Sequence, residues 1–341
     1  IQPLLMSLTS ELRVGYMDDL TIGGPESQVA QDVETVRQKG EEIGLRLNNR
    51  KCEYISSTAH GAQSSDLVFK DFIHLTVDQA ELLGAPVTTG AAMDKALTSR
   101  CDDLERAAGR LRLLTAHDAL ILLRSSFSAP KLLHTLRASP CSGHPALERF
   151  DSLLRTCTCD ISNTDLTDTQ WLQASLPVRN GGLGIRRVSS LAPSAFLASA
   201  AGTRRLQDEI LLNCCATVDT AVTAVLAHWS AKFSQPDVLS PGGEAAGKQR
   251  EWDKPCVAAD VTNLLSRLPD RRSQARLLAL SAPHSGDWLH AIPISSCGLR
   301  LDNEAVRVAV GLRLGAKLCV CLTSALVALR TTLKARMNSP A

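Results

Sequence analysis

The sequence predicts an α+β chain, in which a small strand-containing N-terminal part is followed by a mainly helical body. Three observations predict it. Apolar residues alternate on both sides of Asp18 and Asp19, with Val14 and Tyr16 before them and Leu20 and Ile22 after. After Gly90, apolar residues recur at helical spacing. A Pro/Gly-rich, apolar-poor stretch then interrupts the helical pattern over residues 234–254.

Composition sets the bounds. The chain has 341 residues, 44% of them hydrophobic and 21% charged, which is enough apolar material for a packed core and excludes a disordered chain. The formal net charge is only +2, so any basic surface must come from local clustering. Aromatic residues are 4%, too few for a platform that stacks base after base. Eleven irregularly spaced cysteines, with no basic and apolar leader before them, predict free thiols in a reducing, intracellular setting. No apolar run approaches the roughly 18 residues of a membrane span, so no membrane partner is expected.

In chain order, residues 12–24 predict strand, tight turn, strand, with Asp18 and Asp19 at the turn. Pro25 can open a helix, expected over 27–43 with Val29, Val33, Val36 and Ile43 on one face and Gly44 at its end. Residues 51–56 predict a strand, 57–66 a polar loop, 67–72 another strand, and 82–87 a short strand holding Gly84 and Pro86. Met93, Leu97, Leu104, Leu111 and Leu114 mark the first long helix of the body. Further helices are expected over 118–127, after Pro130, over 146–157, from Pro193, across 257–280 and over 303–314. The expected divisions are 1–89, 90–233, a linker at 234–254, and a C-terminal helical region at 255–341.

The sharpest local feature is Tyr16-Met17-Asp18-Asp19. Adjacent carboxylates on an apolar hairpin repel each other, and a divalent cation would compensate them. Carboxylate oxygens suit Mg²⁺, and two such ions can stabilise the attacking and leaving oxygens of nucleotidyl transfer. A solvated turn is the plain alternative.

This tetrapeptide resembles the YxDD palm motif of reverse transcriptases. Gly44-Leu45-Arg46-Leu47-Asn48-Asn49-Arg50-Lys51-Cys52-Glu53 is similar to the GLxLNxxKCE element that follows it in many retroelement polymerases, and Leu82-Leu83-Gly84-Ala85-Pro86 looks like their primer-supporting LG hairpin. The three occur in the family order. The resemblance to a reverse transcriptase of the non-LTR type implies a partial palm over 1–89 and a thumb-like helical region after it. It implies Mg²⁺ on Asp18 and Asp19, deoxynucleoside triphosphates, an RNA template and a DNA primer. Tyr16, Met17, Leu83 and Gly84 would lie at the substrate and primer. Lys51, with Arg50 as its competitor, would serve the leaving pyrophosphate.

Arg106 and Arg110, one turn apart, would touch the nucleic-acid backbone. Gln173-Ala174-Ser175-Leu176-Pro177 and Gly181-Gly182-Leu183-Gly184 also resemble post-palm segments of related proteins, without an implied chemical role.

The residues given hold no counterpart of the family's N-terminal aspartate strand, and they start at Ile1. The expectation is therefore an incomplete enzyme, inactive alone. The alternatives are a non-catalytic nucleic-acid-binding remnant and a helical interaction module. Cys319 and Cys321 could be the relic of a Cys/His zinc segment, but no histidine follows them, and Cys157 and Cys159 form a similar CxC pair without partners.

Overall fold

The computed structural model describes residues 2–56, 66–210, 219–233 and 240–316. It is mixed α+β with a mostly helical body. Helix α1 (Gln2–Met6) leads to the antiparallel hairpin β1 (Leu12–Tyr16) and β2 (Asp19–Gly23), then to α2 (Glu26–Glu42). Strands β3 (Glu53–Ile55) and β4 (Ile73–Leu75) pair in parallel, and β5 (Glu81–Leu82) and β6 (Ala85–Pro86) form a second hairpin. Among the described residues the sheets are all two-stranded.

Val29, Ala30 and Val33 of α2 turn their apolar face to Phe69, Tyr54 and Phe72. The rings of Tyr54 and Phe69 are 4.8 Å apart, and those of Phe69 and Phe72 meet edge-on at 5.6 Å. The strand expected at 67–72 is instead a single 3-10 turn, Leu67–Phe69, because the Asp66 side chain accepts from the Val68 N–H and coils the chain. Coiling carries Phe69 into this cluster. The short strand expected at 82–87 is folded back on itself at Leu83 and Gly84, both left-handed with φ of 50° and 75°.

The body begins with α3 (Ala91–Leu111), whose Met93, Leu97, Cys101, Leu104 and Leu111 are buried as one stripe. The helix stops before Leu114, which is exposed rather than part of the stripe. Helix α4 (Ala116–Leu122) runs into a π-helical turn, Leu123–Phe127. Helices α5 (Ala129–Ala138), α6 (Pro145–Ser162) and α7 (Asp168–Ala174) follow.

Helix α8 (Val188–Ile210) starts five residues before the expected Pro193, which lies buried inside it. Its start is set from elsewhere: the Asp151 carboxylate of α6 accepts the N–H of Val188 at 2.6 Å and of Ser189 at 3.2 Å. Burial pushes the Asp151 carboxyl up to about 6, against the pull of the Ser189 and Val188 hydrogen bonds.

Helix α9 (Thr220–Ser230) is followed by α10 (Gln249–Arg267), α11 (Arg271–Leu280) and α12 (Asn303–Leu314). The linker expected at 234–254 thus gives way to helix at Gln249, and Trp252 packs edge-on against Trp229 at 5.1 Å. The described part of the C-terminal region, residues 255–316, packs onto the helical body. Val306, Val310 and Leu314 of α12 close the same core as Met93, Phe150 and Leu183, and Val257, Leu264 and Leu277 pack on Leu172 and Leu176. Cys319 and Cys321 lie outside the described residues.

The two motifs without an assigned role fold onto each other. Leu183 N–H donates to the Ala174 carbonyl and Gly184 N–H to that of Leu176, both at 2.9 Å. Gln173 Nε2 donates to the carbonyls of Gly181 (3.1 Å) and Arg313 (2.8 Å), and Arg313 Nε donates to that of Gly182 at 2.9 Å. The Gly-rich segment is therefore a structural joint between α7 and α12.

Candidate metal-binding hairpin and its surroundings

The β1–β2 register pairs Tyr16 with Asp19, so Met17 and Asp18 alone form the loop. Met17 has φ of 56°, a left-handed conformation that is an outlier for a bulky residue. In a two-residue hairpin loop that position favours glycine. Asp18 and Asp19 are both exposed, as are Tyr16 and Met17. Among the described residues no hydrogen bond or ion pair neutralises either carboxylate, and no third His, Cys, Asp or Glu joins them in a metal-sized group. The pair can offer a cation carboxylate oxygens at a solvent-open tip. It does not by itself make a closed cage.

The hairpin is tied down from behind. Asp32, on α2 and 2% exposed, accepts the N–H groups of Thr9 (2.9 Å) and Ser10 (2.7 Å). It also accepts the Thr9 hydroxyl at 3.1 Å and the Ser10 hydroxyl at 2.6 Å. Thr9 and Ser10 lead directly into β1, so this one carboxylate sets the hairpin's base against α2. Burial pushes the Asp32 carboxyl up, but the bonds from Ser10 and Thr9 outweigh it and hold it below its ordinary value. Sequence reading passed over Asp32 because an acid on an amphipathic helix reads as solvated. The only available signal was its place directly before Val33 on the apolar face.

Asp32→Ala is expected to destabilise the N-terminal part by about 3 kcal/mol, since it strands buried donors of Thr9 and Ser10. Asp32→Asn should be nearly as harmful, because an amide NH₂ would face those donors. The folded pKa is the depressed one, so this stabilisation is present above the ordinary carboxylate value and is lost as pH falls through the folded pKa. Denaturant unfolding at neutral and acid pH checks both points. Equal midpoints for wild type and Asp32→Ala at neutral pH would remove Asp32 from its role.

The other expected site residues do not gather around Asp18. The hairpin's principal neighbours are α1, α2 and α8. Lys51 is exposed in the 3-10 turn Asn49–Lys51. The adjacent cleft of about 750 Å³ is lined by Arg46, Asn48, Asn49, Arg50 and Asp71, so Arg50, not Lys51, faces it. Leu83 and Gly84 form the tip of the β5–β6 hairpin, which docks on the helical body. His134 Nε2 is 3.1 Å from the Leu83 carbonyl, and the Ser139 hydroxyl donates to that of Pro86 at 2.6 Å.

Arg106 is ion-paired with Asp103, which also meets Arg100 and Lys131. Arg110, exposed on the same helix, has no carboxylate partner among the described residues. Cys157 is packed in the core, where burial pushes its thiol up to about 11, and among the described residues no metal-sized group of His, Cys, Asp or Glu includes the CxC pair. No described helix is long and apolar enough to cross a membrane. No protein-family model matches the chain, and no curated protein matches it significantly.

Proposed function

We propose that the chain is the palm-hairpin and helical portion of a retroelement reverse transcriptase, an RNA-directed DNA polymerase segment whose Asp18 and Asp19 take Mg²⁺. The observation that carries the reading is the hairpin tip. A non-glycine residue, Met17, is held left-handed so that two unneutralised carboxylates stand at a solvent-open end. Such strain persists where the surrounding structure enforces it, and it concentrates at functional sites. The order of the three sequence motifs supports the same reading, as does the anchoring of the Leu83–Gly84 turn on the helical body rather than in solvent.

Asp18 would be the main ligand and Asp19 the accessory one, and bound Mg²⁺ would supply charge stabilisation at the transferred phosphoryl group. Deoxynucleoside triphosphates, RNA template and DNA primer are the substrates this reading entails. With two carboxylates and no third ligand among the described residues, the chain alone is expected to bind Mg²⁺ weakly and to turn over no substrate.

The test is primer extension on an RNA template with Mg²⁺ or Mn²⁺. The chain as given should extend nothing. Fused behind a palm strand carrying a further aspartate, it should extend the primer and lose that activity with Asp18→Ala. Extension by the unfused chain that vanishes with Asp18→Ala would show that another ligand completes the site. A folded fusion that binds an RNA–DNA hybrid in a salt-dependent way yet never extends it would favour the non-catalytic remnant.

A further inference from the structure

The cleft beside the 3-10 turn Asn49–Lys51 measures about 750 Å³ and is lined by Arg46, Leu47, Asn48, Asn49, Arg50 and Asp71. Five of these side chains are polar, and none of the five spends a hydrogen bond or an ion pair on any described residue. Asn48 stands at the N-cap of the turn, where an asparagine side chain ordinarily accepts a backbone N–H. Here its carboxamide caps nothing. Arg46 and Arg50 are exposed without a carboxylate partner among the described residues, although Asp71 lines the same cleft. In the helical body, by contrast, Arg112 is paired with Asp160, Arg186 with Asp253 and Arg187 with Asp260.

The backbone beneath these side chains is fixed. The Asn48 carbonyl accepts the N–H of Lys51 at 2.9 Å and of Cys52 at 3.2 Å, which closes the turn. Leu45 N–H donates to the Gly40 carbonyl at 2.8 Å and ties the start of the loop to α2. Ile73 N–H donates to the Cys52 carbonyl at 2.8 Å and β3 pairs with β4, so the segment carrying Asp71 is bonded to the one carrying Arg50. Leu47 packs against the cluster of Ala30, Val33 and Phe69. A concavity formed by the fold, with a few polar groups converging on it, is the usual shape of a small-molecule site.

The donor set selects the ligand. Two guanidiniums four residues apart suit phosphate oxygens. A carboxylate in the same cleft repels a bare polyanion and accepts from O–H or N–H. Two carboxamides can each donate and accept, as base edges and ribose hydroxyls require. Phosphate, hydroxyl donors and a base edge occur together in a nucleoside phosphate.

We propose that this cleft binds a nucleoside phosphate, with Arg46 and Arg50 on the phosphate, Asp71 accepting from ribose or base donors, and Asn48 and Asn49 meeting the base edge. A free mononucleotide and one residue of a nucleic-acid strand share this chemistry. No residue of the Asp18–Asp19 hairpin lines the cleft, and the site stands whether or not the chain is part of a polymerase.

The test titrates the full chain by calorimetry, at constant ionic strength, with guanosine 5′-monophosphate, inorganic phosphate and a short single-stranded RNA. Guanine is the base of choice because it offers a carboxylate two adjacent N–H donors. The mononucleotide should saturate and bind about tenfold tighter than phosphate, and Arg46→Gln and Arg50→Gln should each weaken it by about tenfold. Lys70→Gln, beside Asp71 but outside the cleft, should change it by less than about twofold. Asp71→Asn removes both an acceptor and a repelling charge, so it should weaken the mononucleotide while tightening inorganic phosphate. All four side chains are exposed, and unchanged circular dichroism verifies that the variants fold. RNA that binds tighter than the mononucleotide, and loses that advantage with Arg46→Gln, assigns the site to a strand. RNA no tighter than the mononucleotide assigns it to the free nucleotide. Absence of saturable binding, phosphate binding as tightly as the mononucleotide, Asp71→Asn tightening both, or Lys70→Gln weakening binding as much as Arg50→Gln overturns the site.

Discussion

Gly182→Ala is expected to cost about 4 kcal/mol or more, enough to leave most of the chain unfolded or misassembled at the joint. An added β-carbon would sit 2.0 Å from the Leu176 carbonyl oxygen and 2.7 Å from that of Gln173. Both are backbone atoms, so no side-chain rotation relieves the clash. The neighbouring hydrogen bonds of Leu183 and Gly184 to 174 and 176 would have to break.

Gly109 is the matched control, since it lies in α3 with open space where a β-carbon would go. Gly109→Ala should stabilise by about 0.5–1 kcal/mol through helix propensity and a less flexible unfolded chain. Denaturant midpoints for the two variants should therefore move in opposite directions. A Gly182→Ala cost below about 1 kcal/mol would mean that the joint is not packed as described.

Amides of the β1–β2 hairpin are expected to exchange with deuterium roughly a thousandfold faster than those in the middle of α3. No residue of either strand is fully buried, and among the described residues the two strands pair only with each other. A two-stranded hairpin is marginal in water, and among the described residues no further strand pairs with either of its outer edges. Helix α3 buries seven residues, five of them in the main core. Supplying a palm strand by fusion should slow the hairpin amides and leave α3 unchanged. Equal protection in the unfused chain would show that the tether at Asp32 and the contacts with α1, α2 and α8 already suffice.

The parts of the fold written in local periodicity were legible. The alternation around Asp18 and Asp19 gave the hairpin, and 303–314 was placed residue for residue, since Asp302 caps its own helix. What failed was set by distant partners. Helix α8 has its N-terminus satisfied by Asp151, more than thirty residues upstream, so the start before Pro193 carried no local signal. Residues 249–254 looked like linker because they close a Pro/Gly-rich, apolar-poor stretch, yet Trp252 has a tryptophan partner that no window around it contains.

The candidate site shows the same division. The two aspartates were conspicuous as a motif. Asp32, which fixes their hairpin, was not, because its donors arrive from more than twenty residues away. The Gln173 and Gly181 motifs were noticed without a role, since the role lies in Arg313 at the far end of the described chain.

The position of α12 has a consequence for synthesis. The core that holds Met93, Phe150 and Leu183 is sealed by Val306, Val310 and Leu314, and Arg313 is bonded to carbonyls of 178 and 182. A nascent chain emerges N-terminus first. Its first two hundred residues can form helices as they leave the ribosome, but the surface meant for α12 stays open until the last described helix is out. During that interval Leu183 and the Gly-rich joint lack their cover, and the chain depends on chaperones or on speed. A stop codon before Asn303 should thus yield a product far less soluble than its own composition suggests.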